Sequence, residues 1–373
     1  MQVDKISIEK FRNFSNIQLE LAPRINMICG ANGSGKTSLL EAIYCLGFGR
    51  SFRTHQIKQL VQDNEEAFTL FARLQSSASS ERVGDNAQVE EQAAVHKIGY
   101  RRFRSGDAQI RVDGETEKRF SNLAKLMPVQ LITPESVELI TGGPKLRRQF
   151  MDWGLFHVEQ SFYPGWSAYV RLLKQRNALL RQGQHHRQDG AYWDQQLATA
   201  GEQVAQARTS YVESLNTLLN HYCQLFLPQY DFRFKLMHGW NREEQTLLES
   251  LQGKVDVDRK QGFTSAGPHK AEWQIRVDGI DARERLSRGQ LKLLVAALRL
   301  VQSQDYKIQR RQSCILLVDD LPAELDEKNQ ETLCNALKES GSQVFITAID
   351  ESKIQSHFSA TETQLFHVEH GTI

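Results

Sequence analysis

The 373-residue sequence has no long hydrophobic run. Its apolar stretches are short, Cys314 to Val318 being typical. None approaches the ~20 residues that a membrane-spanning helix needs. The opening, MQVDKISIEKF, carries no apolar signal-type segment and no small-residue cleavage site. Cysteine is scarce: five residues (Cys29, Cys45, Cys223, Cys314, Cys334), scattered, odd in number and without a CxxC pair. A small disulfide scaffold is excluded, and a reduced, cytoplasmic protein is the expectation. Excess charge is missing too. Forty-six Lys and Arg face 45 Asp and Glu, a formal net charge of +1. A nucleic-acid partner must then be held by local basic patches. No GxSxG string or Cys/His arrangement suggests a hydrolase nucleophile. His367-Val368-Glu369-His370 and His185-His186 lack a third ligand at fixed spacing, which argues against a protein-only metal site.

With 40% apolar and 24% charged residues the chain is ordinary globular material, neither disordered nor fibrous. Its length suggests two domains, or one with a large insertion. Residues 1–29 alternate as strands do (Val3, Ile6, Ile8; Ile17, Leu19, Leu21; Ile25 to Cys29). Ser38 to Gly47 reads as a helix with Leu39, Leu40, Ile43 and Leu46 on one face. Strands follow at 66–75, 94–103 and 109–112, with Asp113-Gly114 a turn signal and Ser76–Gln92 a polar excursion. From Leu146 to Gln229 the apolar spacing is helical, and polar Gln182–Gly190 breaks it into two long helices forming an antiparallel hairpin. Strand character returns at 231–236, 272–277, 314–318 and 344–347, with helices after Ser287 and over Asn329–Ser340. The last residues, around Leu365 and Phe366, read as a strand ending in Gly371.

Gly30-Ala31-Asn32-Gly33-Ser34-Gly35-Lys36-Thr37 matches GxxxxGK[ST] in full, between a strand and a helix beginning at Ser38. Glycines let the backbone curl so that successive N–H groups converge on phosphate oxygens, and the helix N-terminus adds partial positive charge. Lys36 then reaches the β- and γ-phosphates, and the Thr37 hydroxyl ligates Mg²⁺. Cys314 to Val318 is an apolar strand ending in Asp319-Asp320. Alone, that is a strand and a polar turn. Beside a phosphate loop, Asp319 is expected to hold Mg²⁺ through its water shell and Asp320 to orient or deprotonate the attacking water. Leu286-Ser287-Arg288-Gly289-Gln290 lies 29 residues before Asp319, counted from Gln290. Ser287 is a natural N-cap for the helix Leu291–Val301, and a capped helix start offers N–H groups to an anion.

These residues carry a resemblance. Leu286–Gln290 resembles the LSGGQ signature of the ABC ATPase superfamily, with Arg288 in place of the first Gly, and Asp319 to Asp326 resembles its Walker B and D-loop, with Asp326 the D-loop acid. Lys36 and Ser287 are 251 residues apart, far more than in transporter-type ATPases, whereas SMC-like DNA-repair ATPases separate these motifs with an inserted helical arm. Within that group the chain resembles the RecF family of bacterial recombinational-repair proteins. The likeness lies in Ile8 to Phe14, Gly47 to Arg53, Arg147 to Asp152, Gly267 to Lys270 and Leu286 to Leu294, and covers nearly the whole chain except 76–93.

The resemblance implies an α/β fold: an ABC-type P-loop ATPase head (mixed sheet with helices) from 1–125 and 261–373, plus an inserted mainly helical lobe over 126–260. It implies ATP and Mg²⁺ as ligands and an ATP-dependent homodimer, in which Ser287, Arg288, Gly289 and Gln290 of one subunit face the nucleotide held by the partner's phosphate loop (Gly30 to Ser38). It implies binding to double-stranded and gapped DNA, slow DNA-stimulated ATP hydrolysis, RecR- and RecO-like partners, and help in loading a RecA-like recombinase. No membrane partner is implied. Two other readings remain: a nucleotide-binding scaffold with negligible hydrolysis, and an ABC ATPase subunit of a transporter.

Three departures from the superfamily pattern stand out. Asp320 is one methylene shorter than the usual Glu. Ala348 stands where the switch histidine is expected, leaving Thr347 to approach the γ-phosphate. Gln130 is on a strand, while Thr133-Pro134-Glu135 fills the expected Q-loop turn. For DNA, Arg50 and Arg53 resemble a DNA-sensing loop of SMC-like ATPases, and Arg101, Arg102 and Arg104 form a basic cluster. Lys145, Arg147 and Arg148, and the row Arg171, Lys174, Arg176 and Arg181, are further candidates, each equally readable as a solvated face. For Arg147-Arg148 a salt bridge to Asp152 or Glu138 is an equal reading.

Overall fold

The computed structural model describes residues 1–373 apart from 76–93, 183–188, 321–324 and 352–355. The polar excursion at 76–92 and His185-His186 lie outside the described residues. The chain divides into two compact units, 1–136 with 298–373, and 137–297.

The first unit opens with β1 (Gln2–Phe11), β2 (Phe14–Glu20) and β3 (Ile25–Cys29), then α1 (Lys36–Phe48). β4 (Ala67–Gln75), β5 (Val95–Phe103), β6 (Ala108–Val112), β7 (Glu115–Glu117), α2 (Phe120–Leu126) and β8 (Val129–Ile132) follow. Asp113 and Gly114 both take positive φ (53° and 90°), the mirror-image turn whose twist suits a two-residue hairpin between β6 and β7.

In the second unit α3 (Glu138–Thr141), α4 (Pro144–Val158), α5 (Phe162–Arg181) and α6 (Asp189–Phe226) precede β9 (Phe232–Met237). Then come α7 (Leu247–Gly253), α8 (Val255–Gln261), β10 (Glu272–Val277), β11 (Ile280–Asp281) and α9 (Ala282–Arg285). The division between the units falls inside α10 (Arg288–Arg310). The first unit is completed by β12 (Ile315–Val318), α11 (Glu327–Ser340), β13 (Gln343–Ala348) and β14 (Thr363–His367).

The first unit holds two sheets. One is antiparallel, ordered β2-β1-β4-β5-β6-β7; the other is wholly parallel, ordered β14-β3-β13-β12-β8. The mixed character expected of the head is therefore divided between two sheets. Helix α1 shares one hydrophobic cluster with both: Leu39, Leu40, Ile43 and Leu46 join Ile6, Ile8, Phe11, Phe68 and Leu70 of one sheet and Leu317, Phe345 and Phe366 of the other. The sequence suggested a single apolar face. The structure buries every residue from Ser38 to Gly47, because the helix has a sheet to cover on more than one side.

In the second unit the long helices α5 and α6 run antiparallel. Arg176 bonds Asp194, and Tyr169 lies against Gly201. The sheet β11-β10-β9 packs Trp273 between Phe150 of α4 and Phe234, with ring centroids 5.3 and 5.4 Å away. The boundaries expected at 125/126 and 260/261 are thus corrected. β8 belongs to the first unit because it is the parallel partner of β12. Residues 261–297 belong to the second because β10 pairs with β9. Among the described residues no helix is long and apolar enough to cross a membrane.

Candidate nucleotide-binding site

Three neighbouring strands of the parallel sheet, β3, β13 and β12, end side by side, and the chemistry gathers at those ends. β3 runs into the glycine loop, where Gly30 has φ 155°. A Cβ there would stand 2.4 Å from the Val368 carbonyl oxygen, so the close approach of the residues after β14 requires glycine. The Ser34 carbonyl is held by two donors, the Asn13 side-chain amide (2.9 Å) and the Gly371 N–H (3.1 Å). Lys36, almost fully buried, curls back so that Nζ donates to the carbonyl oxygens of Gly30 (2.6 Å) and Ala31 (3.0 Å).

At the end of β12, Asp319 Oδ1 accepts from the Thr37 hydroxyl (3.1 Å) and from the Thr347 hydroxyl (2.8 Å). Thr347 Oγ1 in turn accepts the Asp320 N–H (2.8 Å). Burial pushes the Asp319 carboxyl above its ordinary value; the Thr347 and Thr37 bonds oppose this, while the nearby Asp320 and Glu135 carboxylates add to it. Asp320 has φ 49°, and its buried Oδ1 has no partner among the described residues. Oxygen donors from Thr37 and Asp319, with an orphaned carboxylate oxygen beside them, suit a hard divalent cation such as Mg²⁺. Among the described residues no cluster of three His, Cys, Asp or Glu forms a metal cage.

In front of these residues lies a cavity of about 750 Å³, lined by Asn32, Gly33, Gly35, Lys36, Thr37 and Ser38 and, across from them, by Asp319 and Asp320. Arg12, Asn13 and Arg53 also line it. Its size suits a nucleotide.

The whole chain, residues 2–373, matches the family model described as RecF/RecN/SMC N terminal domain. The "DNA replication and repair protein RecF" of Shewanella baltica (strain OS223) is 45% identical over 373 residues, covering 100% of this chain and 99% of the relative. That of Shewanella pealeana is 43% identical over the same span. The chain belongs to the RecF family.

A solved structure described as "Structure of the recombination mediator protein RecF-ATPrS in RecFOR pathway" superposes with a TM-score of 0.83 at 25% identity, over 99% of this chain and 96% of that one. An Smc head bound to the C-winged helix domain of ScpA shares the fold, with a TM-score of 0.58 at 15% identity, over 96% of this chain and 92% of that one. The expected α/β head of SMC-like ATPase type is therefore present in this RecF-family chain.

Ser287, Arg288 and Gly289 are exposed at the start of α10. Ser287 caps it reciprocally: its N–H donates to Gln290 Oε1 (2.9 Å), and its hydroxyl oxygen accepts the Gln290 N–H (3.4 Å). Asp326 is the N-cap of α11, accepting the Asn329 N–H at 2.9 Å, a bond that lowers its pKa.

Several expected roles need correction. Thr347 is fully buried, and its hydroxyl joins Asp319 to Asp320 instead of facing the cavity. Gln130 is buried between Gln302 and Arg299, so this chain's strand glutamine packs the core. Arg104 spends its guanidinium on the carbonyls of Glu65, Gln62 and Val61. Arg147 pairs side-on with Glu272, neither Asp152 nor Glu138, and Arg208 takes Asp152. Arg176 is wholly buried, bonded to Asp194 and Asp258, and is no surface contact. Arg50, Arg53 and Arg101 are exposed, and Arg50 and Arg102 line one small cavity of about 120 Å³. Sequence reasoning missed Arg12 and Asn13 as cavity-lining residues. The positive φ of Arg12 (54°) is a tertiary signal that no local pattern carries.

Proposed function

We propose that this chain is an ATP-dependent DNA-binding factor of recombinational repair, working in the cytoplasm on the chromosome. The reading rests above all on Thr37 and Asp319, which line the cavity beside Lys36 and share a hydrogen bond, with Thr347 buried behind Asp319. Bound Mg²⁺ supplies charge neutralisation at the β- and γ-phosphates, with Thr37 and Asp319 as its protein ligands. Lys36 exchanges its two loop carbonyls for phosphate oxygens. Asp320, with a free carboxylate oxygen and a short side chain, orients water poorly, so turnover is slow. The exposed, capped turn Ser287–Gln290 meets the nucleotide of a second copy, so that ATP closes a homodimer and hydrolysis releases it.

In the RecF family reading the closed dimer holds duplex or gapped DNA by its phosphates, through surface arginines such as Arg50, Arg53, Arg101 and Arg102. With RecO- and RecR-like partners it helps to load a RecA-like recombinase at single-strand gaps. The test is ATP binding, ATP hydrolysis with and without gapped DNA, and sedimentation with ATP or ADP, for the wild type and Lys36→Arg. Wild type should bind ATP, dimerise with ATP only and hydrolyse slowly; Lys36→Arg should lose hydrolysis. DNA affinity indifferent to nucleotide refutes the switch. A hydrolysis rate of zero alongside intact ATP-driven dimerisation selects the scaffold reading.

A further inference from the structure

Glu41 is five residues beyond Lys36 on α1 and is fully buried. A carboxylate there needs charged partners, and it is met from two directions. From the β1–β2 turn, Arg12 donates Nε to Oε2 and Nη2 to Oε1, both at 2.7 Å, the bidentate geometry that fixes a guanidinium plane. From the segment after α1, the Ser51 hydroxyl donates to Oε1, and Arg53 Nη1 stands 3.8 Å from Oε2. Ser51 Oγ also accepts the N–H groups of Arg53 (2.8 Å) and Thr54 (3.0 Å), which folds residues 51–54 around it. Three pieces of chain thus meet on one carboxylate.

Both arginines line the nucleotide cavity beside Lys36, whereas Glu41 itself does not. Arg12 is held there in a left-handed backbone conformation, φ 54°, uncommon for a residue other than glycine. Its Nη1 group is not used on Glu41 and is available to an anion. Lys36, Arg12 and Arg53, with Lys58 also in the lining, repel each other before any phosphate arrives, and the buried carboxylate behind Arg12 and Arg53 offsets that repulsion.

We propose that Glu41 is a positioning residue of the nucleotide site. It aims Arg12, its bidentate partner, at the polyphosphate held by Lys36, and ties the 51–54 segment to the same carboxylate. This rests on the reading of the cavity as an ATP site. Calorimetric titration of the full chain with MgATP tests it, using wild type, Glu41→Gln, Arg12→Gln and the double variant, each with a thermal melt. Each single change is expected to weaken ATP binding about tenfold, the scale of one charge-assisted hydrogen bond. The double variant is expected to bind within about twofold of Arg12→Gln, because Glu41 acts through Arg12. Its Tm recovers relative to Arg12→Gln, in which the fully buried Glu41 carboxylate is left without its bidentate partner, but its ATP affinity does not. A merely structural Glu41 would restore both together, and that result overturns the proposal. So does wild-type affinity in Glu41→Gln, or additive losses. If Glu41→Gln does not fold, the comparison of the double variant with Arg12→Gln decides. Wild type that fails to bind ATP refutes the reading of the cavity instead.

Discussion

Among the described residues nothing requires position 289 to be glycine. A Cβ built on it meets nothing within 4 Å, and its φ is not positive. It lies in the first turn of α10, where glycine gives up backbone entropy that alanine does not. Gly289→Ala is therefore expected to stabilise the protein by about 0.5 kcal/mol, half or less of the mid-helix value because the first turn is only partly constrained. That raises the Tm by roughly 1–2 °C for a unit of this size. If the exposed Ser287–Gln290 turn closes on a nucleotide in a second copy, the added methyl sits where that approach is tightest. ATP-driven dimerisation should then weaken at least tenfold, about 1.4 kcal/mol. ATP affinity of the monomer should stay within about twofold. Differential scanning calorimetry and sedimentation equilibrium with ATP and with ADP read the two effects separately. A variant that is more stable and dimerises like wild type shows that the glycine serves no partner, and the face-to-face arrangement falls with it.

Arg176→Met leaves Asp194 and Asp258 buried without their cation, and should cost about 3–5 kcal/mol in guanidinium unfolding; a loss under about 1 kcal/mol refutes the account of this triad. His269 is held neutral, its pKa lowered to about 4 chiefly by burial, with Nε2 beside the Thr264 carbonyl and Nδ1 beside the Tyr169 hydroxyl. The unfolded chain, titrating near 6.5, binds more protons between these values. Stability from this group is complete above about pH 6.5 and is lost as pH falls towards 4, up to ~3 kcal/mol. His269→Gln should flatten that slope in urea titrations at pH 4.5 and 7.5; an unchanged slope counts against the assignment.

The phosphate loop, the aspartate pair and the Ser287 cap were legible because each is local: a strand, a short spacing and a helix start within a dozen residues. What was not legible depends on distant partners. Arg176 has the spacing of a helix face, and Asp194 and Asp258, 18 and 82 residues on, make it a core residue. Arg104 and Arg147 belong to basic runs, yet their guanidinium groups are consumed by carbonyls and by Glu272. Glu41 reads as a polar residue on an amphipathic helix. Its burial follows from Arg12, 29 residues earlier, and from a second sheet that the helical period does not announce. The unit boundaries were misplaced for the same reason, since β8 and β10 take their allegiance from strands far along the chain.

The ladder order has a consequence during synthesis. Among the described residues β3, which runs into the phosphate loop, pairs with β13 and β14, both more than 300 residues further on. At about 5–20 residues per second, roughly 15–60 s separate the ribosome's delivery of the glycine loop from delivery of its flanking strands. For that interval the nascent loop has the Asn13 side chain and the antiparallel sheet beside it but not its parallel neighbours, so nucleotide capture should wait until β13 and β14 have been made.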